Sequence, residues 1–278
     1  MRNLITRTIT GIVFIALVVS TFFLPYYDFA IIFLFFTIVA VIEFLNIAKK
    51  SGAKPQYFST IAIAVLLFTA TLLINLSVKL AFSLYALAIL AVLATFIIEL
   101  YRKEENPLAN IAASLLPQCW IVAPFALCGL WMFHLESANI VLAIFIIIWL
   151  YDTLAYCMGS LFGQHRLFER ISPKKSWEGF ILSLILTSTI SAFFVKISYF
   201  DNAIFTNSLS WIGFAIVIII FSTFGDLVES LFKRSVNVKD SGSIFPGHGG
   251  ILDRLDSFFF ALPAAFCFWM LLGMMVNG

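Results

Sequence analysis

Residues 138–160, "ANIVLAIFIIIWLYDTLAYCMGS", contain a single charged side chain, Asp152. About 20 apolar residues in a helix are enough to cross the hydrocarbon core of a bilayer. The stretch therefore predicts a transmembrane helix. A carboxylate inside such a helix costs roughly 2.5–3.5 kcal/mol to insert and marks a candidate functional site. A hydrogen bond between packed helices is the alternative role for Asp152.

The whole chain has the same character as this stretch. Of its 278 residues, 62% are hydrophobic and 12% are charged, whereas a soluble domain carries roughly 25% charged residues. The net charge of +2 is too small to indicate a nucleic-acid partner. We predict an all-α, polytopic membrane protein with nine spans, at residues 8–25, 28–47, 58–76, 80–100, 109–133, 138–160, 178–198, 209–231 and 256–276.

The loops between these spans differ in charge. With the N-terminus inside, fifteen of the 17 Lys and Arg residues fall on the inner side, and only Lys79 and Lys196 fall outside. This distribution predicts an N-in, C-out topology. The first span follows basic residues as a signal peptide does, but it lacks a small-x-small cleavage site, so we retain it as a helix. The two long polar loops, 161–177 and 232–255, then face the cytoplasm.

The chain is predicted to have two regions within one structural unit. Residues 1–137 would provide five membrane helices. Residues 138–278 would provide four more helices and both polar loops, and so form the catalytic region.

Apart from carboxylates at the first residue of a span, four further ones lie within predicted spans. Asp226 and Glu229 belong to "GDLVES", residues 225–230, and lie three positions apart on one helical face. Glu43 and Glu99 lie near the inner ends of their spans, where a long side chain can reach the interface. Asp226 and Glu229 are therefore functional candidates, whereas Glu43 and Glu99 are predicted to be structural.

The densest polar run is "KDSGSIFPGHGGILDRLDS", residues 239–257. Glycines on both sides of His248 permit close approach of the backbone to a ligand. Asp253 and Asp256 lie three residues apart at a predicted helix start, where the helix dipole tolerates negative charge. Such oxygen ligands suit Mg²⁺, which usually binds one or two carboxylates together with substrate phosphates.

Basic residues accompany both polar loops. In "SPKKSWEG", residues 172–179, Ser172 and Pro173 are predicted to begin a helix as its N-cap and first residue. Lys174 and Lys175 would then be free to bind phosphate, or to attract anionic lipid and set the topology. Acidic, basic and glycine residues together indicate a phosphoryl or nucleotidyl transfer site.

Three other kinds of protein share some of these features. A transporter of anionic metabolites or lipids would also carry basic loops and intramembrane carboxylates, but on both faces and in both halves. A structural membrane protein would not need carboxylates in its spans, and a CTP-dependent lipid kinase would use similar chemistry. Gly159 and Gly163 form a G-x-x-x-G motif at a helix end, which is the feature that would favour a homodimer.

The run "SLFKRSVNVKDSGSIFPGHGGILDRLDS", residues 230–257, resembles the signature of the phosphatidate cytidylyltransferase (CDP-diacylglycerol synthase) family. "DTLAY" (152–156), "SPKKSWEG" and "GDLVES" resemble that family as well. The resemblance covers the C-terminal half, and it departs from the family pattern at Phe245, where a small aliphatic residue is more usual.

This resemblance implies that CTP and phosphatidate are converted to CDP-diacylglycerol and pyrophosphate with Mg²⁺, at the cytoplasmic face of the inner cell membrane. A second cation is left open. By the resemblance, Asp226 and Asp253 share the metal, with Glu229, Asp256 and Asp152 as further candidate ligands. Lys175 and Arg234 join the two aspartates as catalytic residues.

The implied substrate-binding residues come from both loops. They are Ser172, Lys174, Lys175, Ser176, Lys233, Arg234, Lys239, Asp240, Ser241, Gly242, His248, Gly249, Gly250 and Arg254. Phosphatidate is mostly a dianion at neutral pH, because a phosphate monoester has its second pKa near about 6. It can therefore attack the CTP α-phosphorus without a strong protein base.

Overall fold

The computed structural model describes residues 2–74, 76–134, 137–244 and 249–277. Helices form most of these residues, so the predicted all-α membrane class is confirmed. The α-helices are α1 (Arg2–Ser20), α2 (Tyr26–Lys50), α3 (Tyr57–Leu73), α4 (Val78–Tyr101), α5 (Pro107–Pro117), α6 (Ala123–Gly129), α7 (Ala138–Phe162), α8 (Trp177–Ser191), α9 (Ser208–Ser235) and α10 (Leu252–Asn277).

Each of the nine predicted apolar segments overlaps helical structure. Within the described residues, seven helical segments are long and apolar enough to cross a membrane, and α1 and α3 contribute shorter apolar stretches. The number of spans and the N-in, C-out orientation stay predictions.

The fifth predicted span is helical but irregular. Short π-helical turns at Gln118–Val122 and Leu130–His134 follow α5 and α6. Pro117 ends α5 and Pro124 lies in the first turn of α6. A proline has no N–H to donate and clashes with the preceding turn, and π-turns often occur where the regular bonding pattern is interrupted.

A small β-hairpin precedes α8, in place of the helix start predicted at Ser172 and Pro173. Strand β1 (Arg166–Phe168) pairs antiparallel with β2 (Ser172–Ser176). The prediction was wrong because the capping residue lies later: the Ser176 hydroxyl accepts a hydrogen bond from Gly179 N at 3.2 Å, and α8 begins at Trp177.

The chain groups into two compact units. One unit contains residues 1–138 and 232–255, and the other contains residues 139–231 and 256–278. The division into regions 1–137 and 138–278, each with its predicted role, stays a prediction.

The first unit is built on α2, α3 and α4 together with the irregular segment that begins at α5. Phe33 lies in its core, stacked on Phe29 and edge-to-face with Phe125. A second aromatic group, Phe44, Trp120 and Phe232, has ring centroids 5.1–6.0 Å apart. It fixes the C-terminal end of α2 against residue 232, which directly precedes Lys233.

The second unit has an aromatic core around Trp211, which is fully buried. Trp211 packs against Phe194, Phe205 and Phe214. Close helix packing is enforced at Gly225 in α9, where a Cβ atom would overlap with the backbone of α10 at Asp256. Asp226 directly follows this close contact in the chain.

Candidate active site

Four residues of the first unit form a polar group that we call the loop cluster: Glu43, Lys233, Ser241 and Asp253. They come from α2, the last turn of α9, the loop 236–251 and the first turn of α10. Glu43 and Lys233 are 4% and 8% exposed, so the cluster lies within the protein. Buried charges are stable only when paired or hydrogen-bonded, and every member of this cluster meets that condition.

The Asp253 carboxylate is satisfied at both oxygens. Oδ1 accepts from Lys233 Nζ at 2.6 Å, in an ion pair whose side chains are 6% and 10% exposed. Oδ2 accepts from the Ser241 backbone N, the Ser241 hydroxyl and Gly250 N, each at 2.8 Å. A carboxylate offers about four lone-pair positions, and four donors contact this one, three of them at Oδ2.

Glu43 holds the start of α10. Its Oε2 accepts from Leu252 N at 2.8 Å and from the Ser241 hydroxyl at 3.1 Å, and its Oε1 accepts from Ile251 N at 3.2 Å. The first amides of a helix have no partner within the helix, so Glu43 caps α10 from α2. Glu43 was predicted from the sequence to have a structural role near the interface; this contact, which joins residues more than 200 positions apart, was not predicted.

The glycines of the signature pack against the protein's own carboxylates. A Cβ atom at Gly242 or Gly250 would overlap with the Glu43 carboxylate, and one at Gly249 would overlap with that of Asp253. Gly249 also has a φ of +83°, in a region that residues with a Cβ rarely adopt. These glycines thus permit two buried carboxylates to approach the backbone.

A second ion pair lies in the other unit, between the hairpin and α9. Lys175 Nζ of β2 is 2.6 Å from Asp226 Oδ2, and the two side chains are 28% and 32% exposed. The Ser230 hydroxyl donates to Asp226 Oδ1 at 3.3 Å. Burial alone would lower the pKa of the Lys175 ammonium, but the charge and hydrogen bond of Asp226 outweigh it and raise that pKa above its usual value.

Buried polar groups of α7 and α9 belong to the same unit as this pair. Tyr151 of α7 and Thr223 of α9 share a 2.7 Å hydrogen bond between their hydroxyls, and both are buried. Glu229, one helical turn after Asp226, is fully buried. Asp226 therefore presents its carboxylate at the accessible end of a buried polar face.

The remaining predicted residues lie in several environments. Lys174, Asp240 and Asp152 are exposed, and Asp256 Oδ1 accepts from Ser257 N at 2.6 Å. Three basic residues, Arg234, Lys239 and Arg254, are also exposed. Arg234 Nη1 donates a hydrogen bond to Val238 O at 3.1 Å. His248, together with Phe245 and Gly247, lies outside the described residues.

The predicted metal ligands have the right donor chemistry but already carry cations. Asp226 and Asp253 each bind a lysine ammonium at 2.6 Å. Within the described residues, no three His, Cys, Asp or Glu side chains gather into a metal-binding group. Carboxylate oxygens fit Mg²⁺, which needs only one or two of them. Asp226 is open enough to accept it, whereas Asp253 would have to exchange Lys233 for it.

Comparison with known proteins identifies the family of the chain. The family model described as "Cytidylyltransferase family" matches residues 5–272, nearly the whole chain. The chain belongs to the cytidylyltransferase family. This finding covers the N-terminal helices as well, which the sequence resemblance did not.

Curated relatives are more specific. A phosphatidate cytidylyltransferase of Staphylococcus aureus (strain COL) is 46% identical over 130 residues, which are 46% of this chain and 48% of the relative. The protein of the same name from Staphylococcus haemolyticus (strain JCSC1435) is 47% identical over 133 residues, with the same shares. The match thus spans about half the length of these curated relatives.

Proposed function

We propose that this protein is a phosphatidate cytidylyltransferase, which transfers CMP from CTP to phosphatidate and releases pyrophosphate. The observation that carries the proposal is the 46–47% identity to relatives of that name, within a family match over residues 5–272. Because those alignments cover about half of each chain, the activity and both substrates are proposals for this protein.

The two ion pairs suit this chemistry. Two anions must be brought together, and the α-phosphorus must be attacked by a phosphate oxygen while pyrophosphate leaves. Lys175 is held in place by Asp226 and stays protonated, so it provides a fixed positive charge for a phosphate oxygen. Exposed Lys174, Lys239, Arg234 and Arg254 provide further cationic groups. Positioning and charge stabilisation can supply most of the rate enhancement.

We further propose that a divalent cation, Mg²⁺ in the cell, takes part, with Asp226 and Asp253 among its ligands. When bound it would neutralise phosphate charge and orient the leaving group. The chain's own part would be to supply these two carboxylates, which pair with Lys175 and Lys233. Glu229, Asp256 and Asp152 remain further candidate ligands, a second cation remains open, and the cytoplasmic location of the site follows from the predicted topology.

The deciding experiment uses the full chain, purified and returned to nanodiscs, with α-labelled CTP and phosphatidate. The proposal expects labelled CDP-diacylglycerol and an equal amount of pyrophosphate. Diacylglycerol with γ-labelled CTP serves as the matched assay for a lipid kinase. Labelled phosphatidate from that second assay, with no CDP-lipid from the first, would show that the proposed reaction is wrong.

A further inference from the structure

Glu43 lies in α2, remote in sequence from every predicted site residue, and it is buried in a helix long enough to span the membrane. An ionised side chain in such a helix is costly and usually has a role. Its two oxygens meet three converging donors, Ile251 N, Leu252 N and the Ser241 hydroxyl. The two backbone amides and a hydroxyl proton shared with Asp253 thus provide hydrogen bonds to the carboxylate.

The Ser241 hydroxyl joins Glu43 to the proposed site. It lies 3.1 Å from Glu43 Oε2 and 2.8 Å from Asp253 Oδ2, so its single proton is shared between the two carboxylates. The Ser241 backbone N binds the same Asp253 oxygen. A movement of Glu43 can therefore reach Asp253 through Ser241 as well as through the Ile251 and Leu252 amides that precede Asp253.

The backbone around Glu43 is fitted to it from two sides. A Cβ atom at Gly242 or at Gly250 would overlap with the Glu43 carboxylate. These two glycines lie on either side of residues 243–249 in the chain. A methyl group at either position would push the loop and the carboxylate apart. The carboxylate thus fixes both ends of the polar loop at once.

We infer that Glu43 is a positioning residue for the reaction: it holds both ends of the loop 241–252 and thereby sets the position of Asp253. This inference rests on the proposed function. Glu43 touches no reacting atom; it acts through Ser241 and the first amides of α10. Glu43→Gln retains the shape but turns one acceptor oxygen into an NH₂ group that faces an N–H or O–H donor.

The first measurement is hydrogen exchange of the backbone amides in nanodiscs, which needs no activity. Loss of charge-assisted hydrogen bonds should make the Ile251 and Leu252 amides of Glu43→Gln exchange about ten- to a hundred-fold faster. Glu99→Gln is the matched control. Glu99 is equally buried, but it accepts from Asn110, Gln56 and Arg102 side chains, away from the loop. Glu99→Gln should therefore leave the exchange rates of the Ile251 and Leu252 amides unchanged.

The second measurement separates positioning from mere stability. In Glu43→Gln, kcat should fall about ten-fold or more while KM for CTP stays within about two-fold, because misplacement costs most in the transition state. Gly242→Ala, which leaves Glu43 intact but forces it from the loop, should show the same split and keeps the test available if Glu43→Gln does not fold.

The outcomes are distinct. Wild-type exchange at Ile251 and Leu252 in Glu43→Gln would overturn the inference whatever the activity. Faster exchange with an unchanged kcat would also overturn it, because the loop would then be held without consequence for the reaction. If the wild-type protein formed no CDP-lipid, the proposed function would fail, while the exchange measurement would still decide whether Glu43 holds the loop.

Discussion

Lys233 Nζ and Asp253 Oδ1 form a 2.6 Å ion pair in which neither side chain is more than a tenth exposed. The other lysine–aspartate pair, Lys175 with Asp226, has the same distance, but about three-tenths of each side chain is exposed. Removing one partner of a buried pair leaves an uncompensated charge, whereas exposed pairs contribute little to stability. The two pairs should therefore respond differently to mutation.

Lys233→Met should lower the free energy of unfolding by about 3–5 kcal/mol, because it leaves the Asp253 carboxylate buried without its counter-charge. Thermal unfolding in detergent, followed by circular dichroism, measures the change. Lys239→Met is the control, since Lys239 is exposed, and it should have little effect. Adding Asp253→Asn to Lys233→Met should recover part of the loss; an additive double variant would contradict the pairing.

Lys175→Met should instead leave the protein folded and lower kcat/KM about ten- to a hundred-fold, the value of a charge-assisted hydrogen bond to phosphate. Lys174 is exposed on the same strand, so Lys174→Met is the matched control and should lower kcat/KM by a smaller factor. Equal losses in both variants would mean that the hairpin offers general positive charge rather than one placed ammonium.

The pH dependence of Lys175 follows from the direction of its pKa shift. Asp226 raises the pKa of Lys175 above its usual value despite burial, so its contribution to stability is complete below the unfolded pKa and is lost only as the pH rises through the higher folded pKa. The small difference in melting temperature between wild type and Lys175→Met, to which this partly exposed pair corresponds, should thus stay constant from about pH 7 to pH 10. A difference that shrinks between pH 7 and pH 9 would show that the ammonium is not held in this way.

The helices could be predicted from the sequence, because apolar runs of about 20 residues admit few alternatives. Their irregularities could not. The turns after Pro117 keep the apolar character of their segment, and Ser172–Pro173 looks like a helix start although the capping hydroxyl belongs to Ser176. Hydropathy does not distinguish these cases.

The loop cluster and the glycines beside it could be predicted in part, for a similar reason. Asp253, Gly249 and Gly250 were identifiable because polar and glycine residues inside an apolar chain need a cause. The role of Glu43 was not, since its partners lie 208 and 209 positions later, and a single sequence carries no sign of such a contact. The sequence did carry one signal, the free-energy cost of placing the Glu43 carboxylate in a span, because such a carboxylate is by default functional.

The topology can be tested by cysteine accessibility. The chain has four cysteines, three of them exposed, so single cysteines must be introduced into a cysteine-free variant. Cysteines at Lys50, Lys103, Lys174 and Lys239 should react with an impermeant maleimide only from the cytoplasmic side, and a cysteine at Asn207 only from the other side. Reaction of positions 239 and 207 from one side would contradict the predicted orientation.

The last prediction concerns the two aspartates and a divalent cation. Asp226→Asn and Asp253→Asn should each abolish turnover, and excess Mg²⁺ should not restore it, because each removes a carboxylate ligand. Their stabilities should differ. Asp253→Asn leaves the buried Lys233 ammonium unpaired and should unfold at lower temperature, whereas Asp226→Asn affects a partly exposed pair and should unfold near wild type.

Binding of Mn²⁺ in place of Mg²⁺, followed by electron paramagnetic resonance, separates ligation from folding. Asp226→Asn should weaken Mn²⁺ binding about ten-fold or more, which corresponds to a loss of about 1.4 kcal/mol or more of binding free energy. The melting temperature of this variant should stay close to that of wild type. Glu178→Gln serves as the control, because Glu178 accepts hydrogen bonds from His165 and the backbone of the hairpin and belongs to neither ion pair. Wild-type Mn²⁺ affinity in a folded Asp226→Asn variant would exclude Asp226 as a ligand and leave its role to the Lys175 pair alone.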